Sequence, residues 1–91
     1  MALFLISYDL HKDRNYQPLY DAMEKLESKA ILESVWMLEV NNTATEVRDW
    51  LHDLLDDDDK IFVIELRPQH AWASRNLGTS VNNWIREHNS V

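Results

Sequence analysis

The sequence predicts an α+β sandwich with elements in the order βαββαβ. One antiparallel sheet carries both helices on the same face, and a helical appendage follows. Three observations carry this. Two runs, Leu3–Leu10 and Lys60–Arg67, alternate with the two-residue period of a strand. Two stretches between them repeat apolar residues at three- and four-residue steps, the period of a helix packed along one side. Between those stretches lies "AILESVWMLEV", residues 30–40, β-branched and aromatic in character and interrupted only by Glu33-Ser34.

The first strand puts Leu3, Leu5, Ser7 and Asp9 on one face and Phe4, Ile6, Tyr8 and Leu10 on the other. Both faces are mostly apolar, which belongs to a central strand. Asn15 reads as an N-cap, and Pro18 fits the first helical turn, where a missing N–H costs little. Tyr16, Leu19, Tyr20, Met23 and Leu26 form that helix's apolar stripe, and the helix should end near Ser28. Residues 30–40 are long for one strand, so they divide into two at Glu33-Ser34. "TATE", Thr43–Glu46, is a capping box in which hydroxyl and carboxylate each satisfy an orphan N–H. Val47, Trp50, Leu51, Leu54 and Leu55 follow as a stripe, with Trp50 expected in the core.

The aspartates of "DDDDK" oppose the macrodipole of that helix, so Asp56–Asp59 read as a solvated loop. They lack the alternating ligands and glycine of a calcium loop. In the last strand Phe62, Ile64 and Leu66 oppose Ile61, Val63, Glu65 and Arg67, and Pro68 stops it. Val81, Trp84, Ile85 and His88 then recur at helical spacing. Four short strands and two interleaved helices suit a split β-α-β, ferredoxin-like sandwich. Residues 1–68 are its core domain, and residues 69–91 an extension packing on the core or on a partner. With both helices on one face, the other face of the sheet calls for cover, which a second copy would provide. A homodimer is the expectation.

Composition narrows the function classes. Ninety-one residues make one domain with a small core, helped by four tryptophans. The net charge of −7 lowers the prospect of loose nucleic-acid binding by the whole surface, because phosphate recognition needs lysine and arginine. A local basic patch, a metal bridge or a basic protein partner stays open. There is no cysteine, hence no disulfide and no thiolate zinc site. A single glycine excludes glycine-rich phosphate loops. No apolar run is long enough to span a membrane, and the opening run stops too early for a signal peptide, so a cytoplasmic protein is expected.

The strand ending "SYD" and the later "SVW" carry a family resemblance. With the element order, they resemble the small CRISPR adaptation protein that partners the CRISPR integrase, and the related virulence-associated protein D ribonucleases. The resemblance spans roughly residues 2–67. It implies a ferredoxin-like homodimer, with an aspartate ending the first strand and a serine-valine-aromatic triplet in the middle strands. Those positions are Asp9 and Ser34, Val35 and Trp36, with Trp36 where the family usually has phenylalanine or tyrosine. Leu32 and Ala30 depart from the glutamine and nearby basic residue frequent in the CRISPR family. The resemblance further implies Mg²⁺ or Mn²⁺ on Asp9 near the dimer axis, RNA or DNA as substrate, and a CRISPR integrase or an antitoxin as protein partner. A metal-dependent endonuclease, specifically an endoribonuclease, is the leading expectation. A non-catalytic dimeric scaffold is its rival.

Asp9 therefore has two readings. It can leave the sheet, meet water and accept a loop hydrogen bond, since turn chemistry alone accounts for "DLHKD". Or it pairs with its symmetry mate about a hard cation, which favours oxygen ligands. Ser34 joins Asp9 as a candidate catalytic residue. Lys12 and Arg14 form the only basic cluster beside Asp9 and, with His11, are the candidate nucleic-acid contacts. His52, His70 and His88 show no paired metal-ligand spacing. Trp72, close to Arg75, fits either base stacking or subunit packing.

Overall fold

Alternation along the opening run buries Phe4 and Ile6 completely and Leu3 almost so, which makes β1 (Ala2–Asp9) the centre of the sheet. The computed structural model describes residues 2–10, 16–67, 69 and 71–89. Within them follow α1 (Gln17–Lys25), β2 (Lys29–Leu32), β3 (Val35–Val40), α2 (Ala44–His52), β4 (Lys60–Leu66) and α3 (Thr79–His88). The sheet runs β2-β3-β1-β4 with every neighbouring pair antiparallel, which is the ferredoxin-like order.

Residues 30–40 do divide at Glu33-Ser34, the two-residue turn between β2 and β3. β3 sets Leu38 against Phe4 and Trp36 against Ile6, while β4 sets Val63 against Ile6 and Ile61 against Tyr8. Those side chains share the helix-facing side. There Phe4, Ile6, Tyr8 and Leu38 meet Leu19 and Met23 of α1 and Val47 and Leu51 of α2 in the main core.

Helix α1 ends at Lys25, short of Ser28, because Glu27 turns left-handed at φ 56°. The Ser28 hydroxyl then donates to the Met23 carbonyl, one of the orphan acceptors at a helix end. Tyr16 occupies the N-cap position without a side-chain cap, and Asn15 lies outside the described residues. In α2 the capping box is complete: Thr43 Oγ1 accepts from the Glu46 N–H at 3.1 Å, and Glu46 Oε1 from the Thr43 N–H at 2.9 Å. Thr43→Ala is expected to lower stability by about 0.5–2 kcal/mol, read as the shift in urea midpoint at unchanged slope.

Two expectations need correction. Trp50 is 36% exposed and lines the rim of a hollow with Leu26 and Val40 instead of filling the core. The central line of so short a helix is taken by Val47 and Leu51, four residues apart, and a neighbour on the stripe falls to its edge. The aspartate loop is only partly solvated. The Tyr16 hydroxyl donates to both Asp59 carboxylate oxygens at 3.0 Å, and the Asp56 N–H donates to Asp59 Oδ2 at 2.9 Å. Asp59 thus closes its turn backward onto Asp56, whose carbonyl accepts from the Asp59 N–H, and ties the turn to the start of α1.

The back of the sheet is covered at one end only. Ile85 of α3 packs on Leu3 and Met37, joined by Leu66, Leu77, Val81 and Trp84. The Lys29 ammonium donates to Ser80 Oγ at 2.7 Å and holds α3 against β2. Toward the other end, Phe62 opposite Ser7 is 59% and Ile64 opposite Leu5 is 43% exposed. Part of the cover expected from a second copy therefore comes from this chain. Among the described residues no helix is long and apolar enough to cross a membrane.

Candidate functional site at the end of strand β1

Strand β1 stops where its last residue leaves the sheet. Asp9 still faces Lys60 across the β1–β4 register but is exposed, whereas Tyr8 before it is buried. The Tyr8 N–H donates to the Ser34 carbonyl at 3.1 Å and ties this strand end to the β2–β3 turn. The Tyr8 hydroxyl donates to the Glu33 carbonyl at 3.3 Å and accepts from Trp36 Nε1 at 2.9 Å. Trp36 in turn stacks on Tyr20 of α1, with ring centroids 6.5 Å apart. This chain of contacts fixes the turn against the strand.

The result is an open hollow of about 270 Å³ lined by Tyr8, Asp9, Leu10, Tyr20, Glu33 and Ser34. Asp9 and Ser34, far apart in sequence, meet there. Glu33 and Tyr20 were not singled out from the sequence: Glu33 read only as the strand break and Tyr20 only as apolar stripe. His11, Lys12 and Arg14 lie outside the described residues.

Burial pushes the Tyr8 phenol above its ordinary value, opposed by the Trp36 N–H bond and reinforced by Tyr20. The folded chain then keeps this proton after the unfolded chain has lost it. Tyr8 accordingly contributes stability below about pH 10 that is lost as pH rises through its folded value. Phenolate absorbance should show a tyrosine ionising above the ordinary value, and Tyr8→Phe should reduce that late absorbance.

The histidines do not join the hollow. The ring of His88 stacks on Trp84 at 3.8 Å and 13°. Its Nδ1 lies 2.8 Å from the Trp84 carbonyl, which can only accept, so that nitrogen carries the proton. His52 sits 3.6 Å from Asp57 in an exposed pair, and His70 lies outside the described residues. Among the described residues, no three His, Cys, Asp or Glu side chains cluster to hold a metal ion. What the hollow offers is the exposed Asp9, with Glu33 and Ser34 also on its wall. That donor set fits Mg²⁺ or Mn²⁺, which take oxygen ligands and can be held by one or two carboxylates with water completing the shell.

A family model for the CRISPR associated protein Cas2 matches residues 1–73. The chain belongs to the Cas2 family. The match takes in the whole four-stranded sheet, both helices of the main core, Asp9 and the Ser34 turn, and it stops ahead of α3. Of the two resemblances drawn from the sequence, the CRISPR-associated one is thereby met. In this Cas2 chain the back-layer helix lies outside the matched residues.

Proposed function

We propose that this Cas2-family protein acts on nucleic acid as a homodimeric, metal-dependent endonuclease, with RNA the leading substrate. The observation that carries the reading is Asp9, exposed at the end of β1, between the Ser34 turn and the uncovered apolar patch of Phe62 and Ile64. A second copy seated on that patch would cover both side chains and bring a second Asp9 toward the first.

Two carboxylates about 4 Å apart repel by about 4 kcal/mol at an effective dielectric of 20, a cost that a shared divalent cation reverses. Asp9 of each copy would hold Mg²⁺ or Mn²⁺, which when bound polarises a phosphodiester and lowers the pKa of a coordinated water. Ser34, on a turn fixed by Tyr8, can donate a hydrogen bond to a phosphate oxygen or orient water at the hollow. His11, Lys12 and Arg14 follow Asp9 in the chain and are proposed to hold the flanking phosphates.

The test is cleavage of RNA and DNA panels by purified protein with Mg²⁺, with Mn²⁺ and with chelator, alongside sedimentation. Cation-dependent products from a dimer support the reading. A dimer that cleaves nothing under any of these conditions removes the catalytic part. A second reading, a scaffold for a basic protein such as a CRISPR integrase, or for an antitoxin, is favoured by the net charge of −7. A cytoplasmic location accords with either role.

A further inference from the structure

Strand β3 runs past its neighbour. β2 pairs with it only from Val35 to Met37, so the outer edge of residues 38–40 has no strand beside it. Side chains alternate across this end: Leu38 and Val40 face the helices, and Glu39 faces the back. Each side holds a hollow. The front one, about 270 Å³, is walled by Val40, Glu46 and Trp50, and the rear one, about 310 Å³, by Glu27, Glu39 and Trp84. Leu26 and Val40 line both, so the two hollows meet at a ridge across the strand edge.

The hollows differ in chemistry. In front, Trp50 and Leu26 are 36% and 37% exposed, an aromatic and an aliphatic surface open to an apolar side chain. Behind, Glu27 and Glu39 make no ion pair among the described residues. The two walls together carry three carboxylates, Glu27, Glu39 and Glu46, against the single ammonium of Lys25. Glu27 also sits at φ 56°, a left-handed backbone that glycine adopts at lower cost.

We infer that this edge takes an extended segment of a partner protein in which apolar and basic residues alternate. One apolar side chain enters the front hollow, and the next residue, arginine or lysine, reaches Glu27 and Glu39 behind. An extended chain suits this geometry because its consecutive side chains point to opposite sides. Its main chain can pair with the outward groups of residues 38–40, as when a peptide adds to a sheet edge. The acidic walls reject an acidic segment, and the open tryptophan selects an apolar anchor over charge alone. The inference rests on the reading of this chain as a scaffold for a basic protein. It places that partner at the opposite end of β1 from Asp9, where Val40 faces Ala2.

The test is NMR titration of the full chain with blocked peptides and with polylysine as a probe of charge alone. One peptide alternates leucine with arginine, a second has the same residues as a leucine block and an arginine block, and a third alternates leucine with glutamate. The alternating basic peptide should bind tightest and shift the Trp50 indole N–H and the Glu39 amide together. Trp50→Ala should weaken it roughly tenfold or more. Glu39→Gln should weaken it about two- to fivefold, an effect that fades at high salt. Glu27→Gly should weaken it by a similar factor without lowering the thermal midpoint, which separates binding from folding. Equal affinity for the two basic peptides overturns the inference, as do shifts that leave Trp50 and Glu39 unmoved. If polylysine still binds in that case, the scaffold reading stands without this site; if polylysine fails as well, both fall.

Discussion

Asp9→Ala is expected to lower cation-dependent cleavage by at least about a hundredfold while leaving the thermal midpoint within a few degrees. Loss of the ligand forfeits the several kcal/mol of charge stabilisation that a bound cation supplies, and each 1.36 kcal/mol is tenfold in rate. The fold should tolerate the change, because Asp9 is exposed at a strand end and belongs to neither buried cluster. Mixing sharpens the test. If one site needs Asp9 from two copies, an equal mixture after subunit exchange retains about one quarter of its activity, since only dimers with both carboxylates work. Independent sites would retain about one half. A result near one half removes the shared site even if Asp9 matters, and unchanged cleavage by Asp9→Ala removes Asp9 from the chemistry altogether.

Local rules made much of the fold legible. The capping box at Thr43 and Glu46 is complete within four residues, so nothing distant had to be known. The break at Glu33-Ser34 follows from strand length, and the sheet order follows once two helices are placed among four strands. Depth was harder to read. Helical spacing says which side of a helix is apolar, yet not how far each residue sits from its centre line. Leu19 and Met23 are therefore buried while Tyr20 and Leu26, on the same stripe, reach the edge at 36% and 37% exposure. The Tyr16–Asp59 bond joins residues 43 apart, and no window along the chain contains both. The docking of α3 on the back of the sheet was equally hidden, because an amphipathic helix does not name the surface it covers.

The candidate site was legible in part, for a related reason. Asp9 stood out because an apolar strand ending on a carboxylate is unusual, and Ser34 because of the family triplet. Only the register of β1 with β3, which places Ser7 opposite Val35, brings their strand ends together. Glu33 and Tyr20 enter the hollow through that same juxtaposition, so no spacing rule could have found them.

Phe4→Ala tests the frame on which all of this depends. Phe4 is fully buried at the centre of β1, between Leu38 of β3 and Glu65 of β4, and packs in the cluster that joins both helices to the sheet. Truncation removes its transfer free energy and leaves a cavity that rigid neighbours fill poorly, at about 3–5 kcal/mol. A domain this small is expected to hold only about 5–10 kcal/mol in all, so much of its stability should go. With a urea slope of about 1 kcal/mol/M, the midpoint falls by several molar or the transition disappears. Leu3→Ala, on the other face of the same strand, meets the smaller cluster with Met37 and Ile85 and should cost less, about 2–3 kcal/mol. It should also raise amide exchange in α3 ahead of global unfolding, because that helix is held by the back cluster and the Lys29–Ser80 bond. Equal losses from the two variants, with α3 exchanging no earlier than α1, would mean that the back layer is as integral to the core as the helices in front.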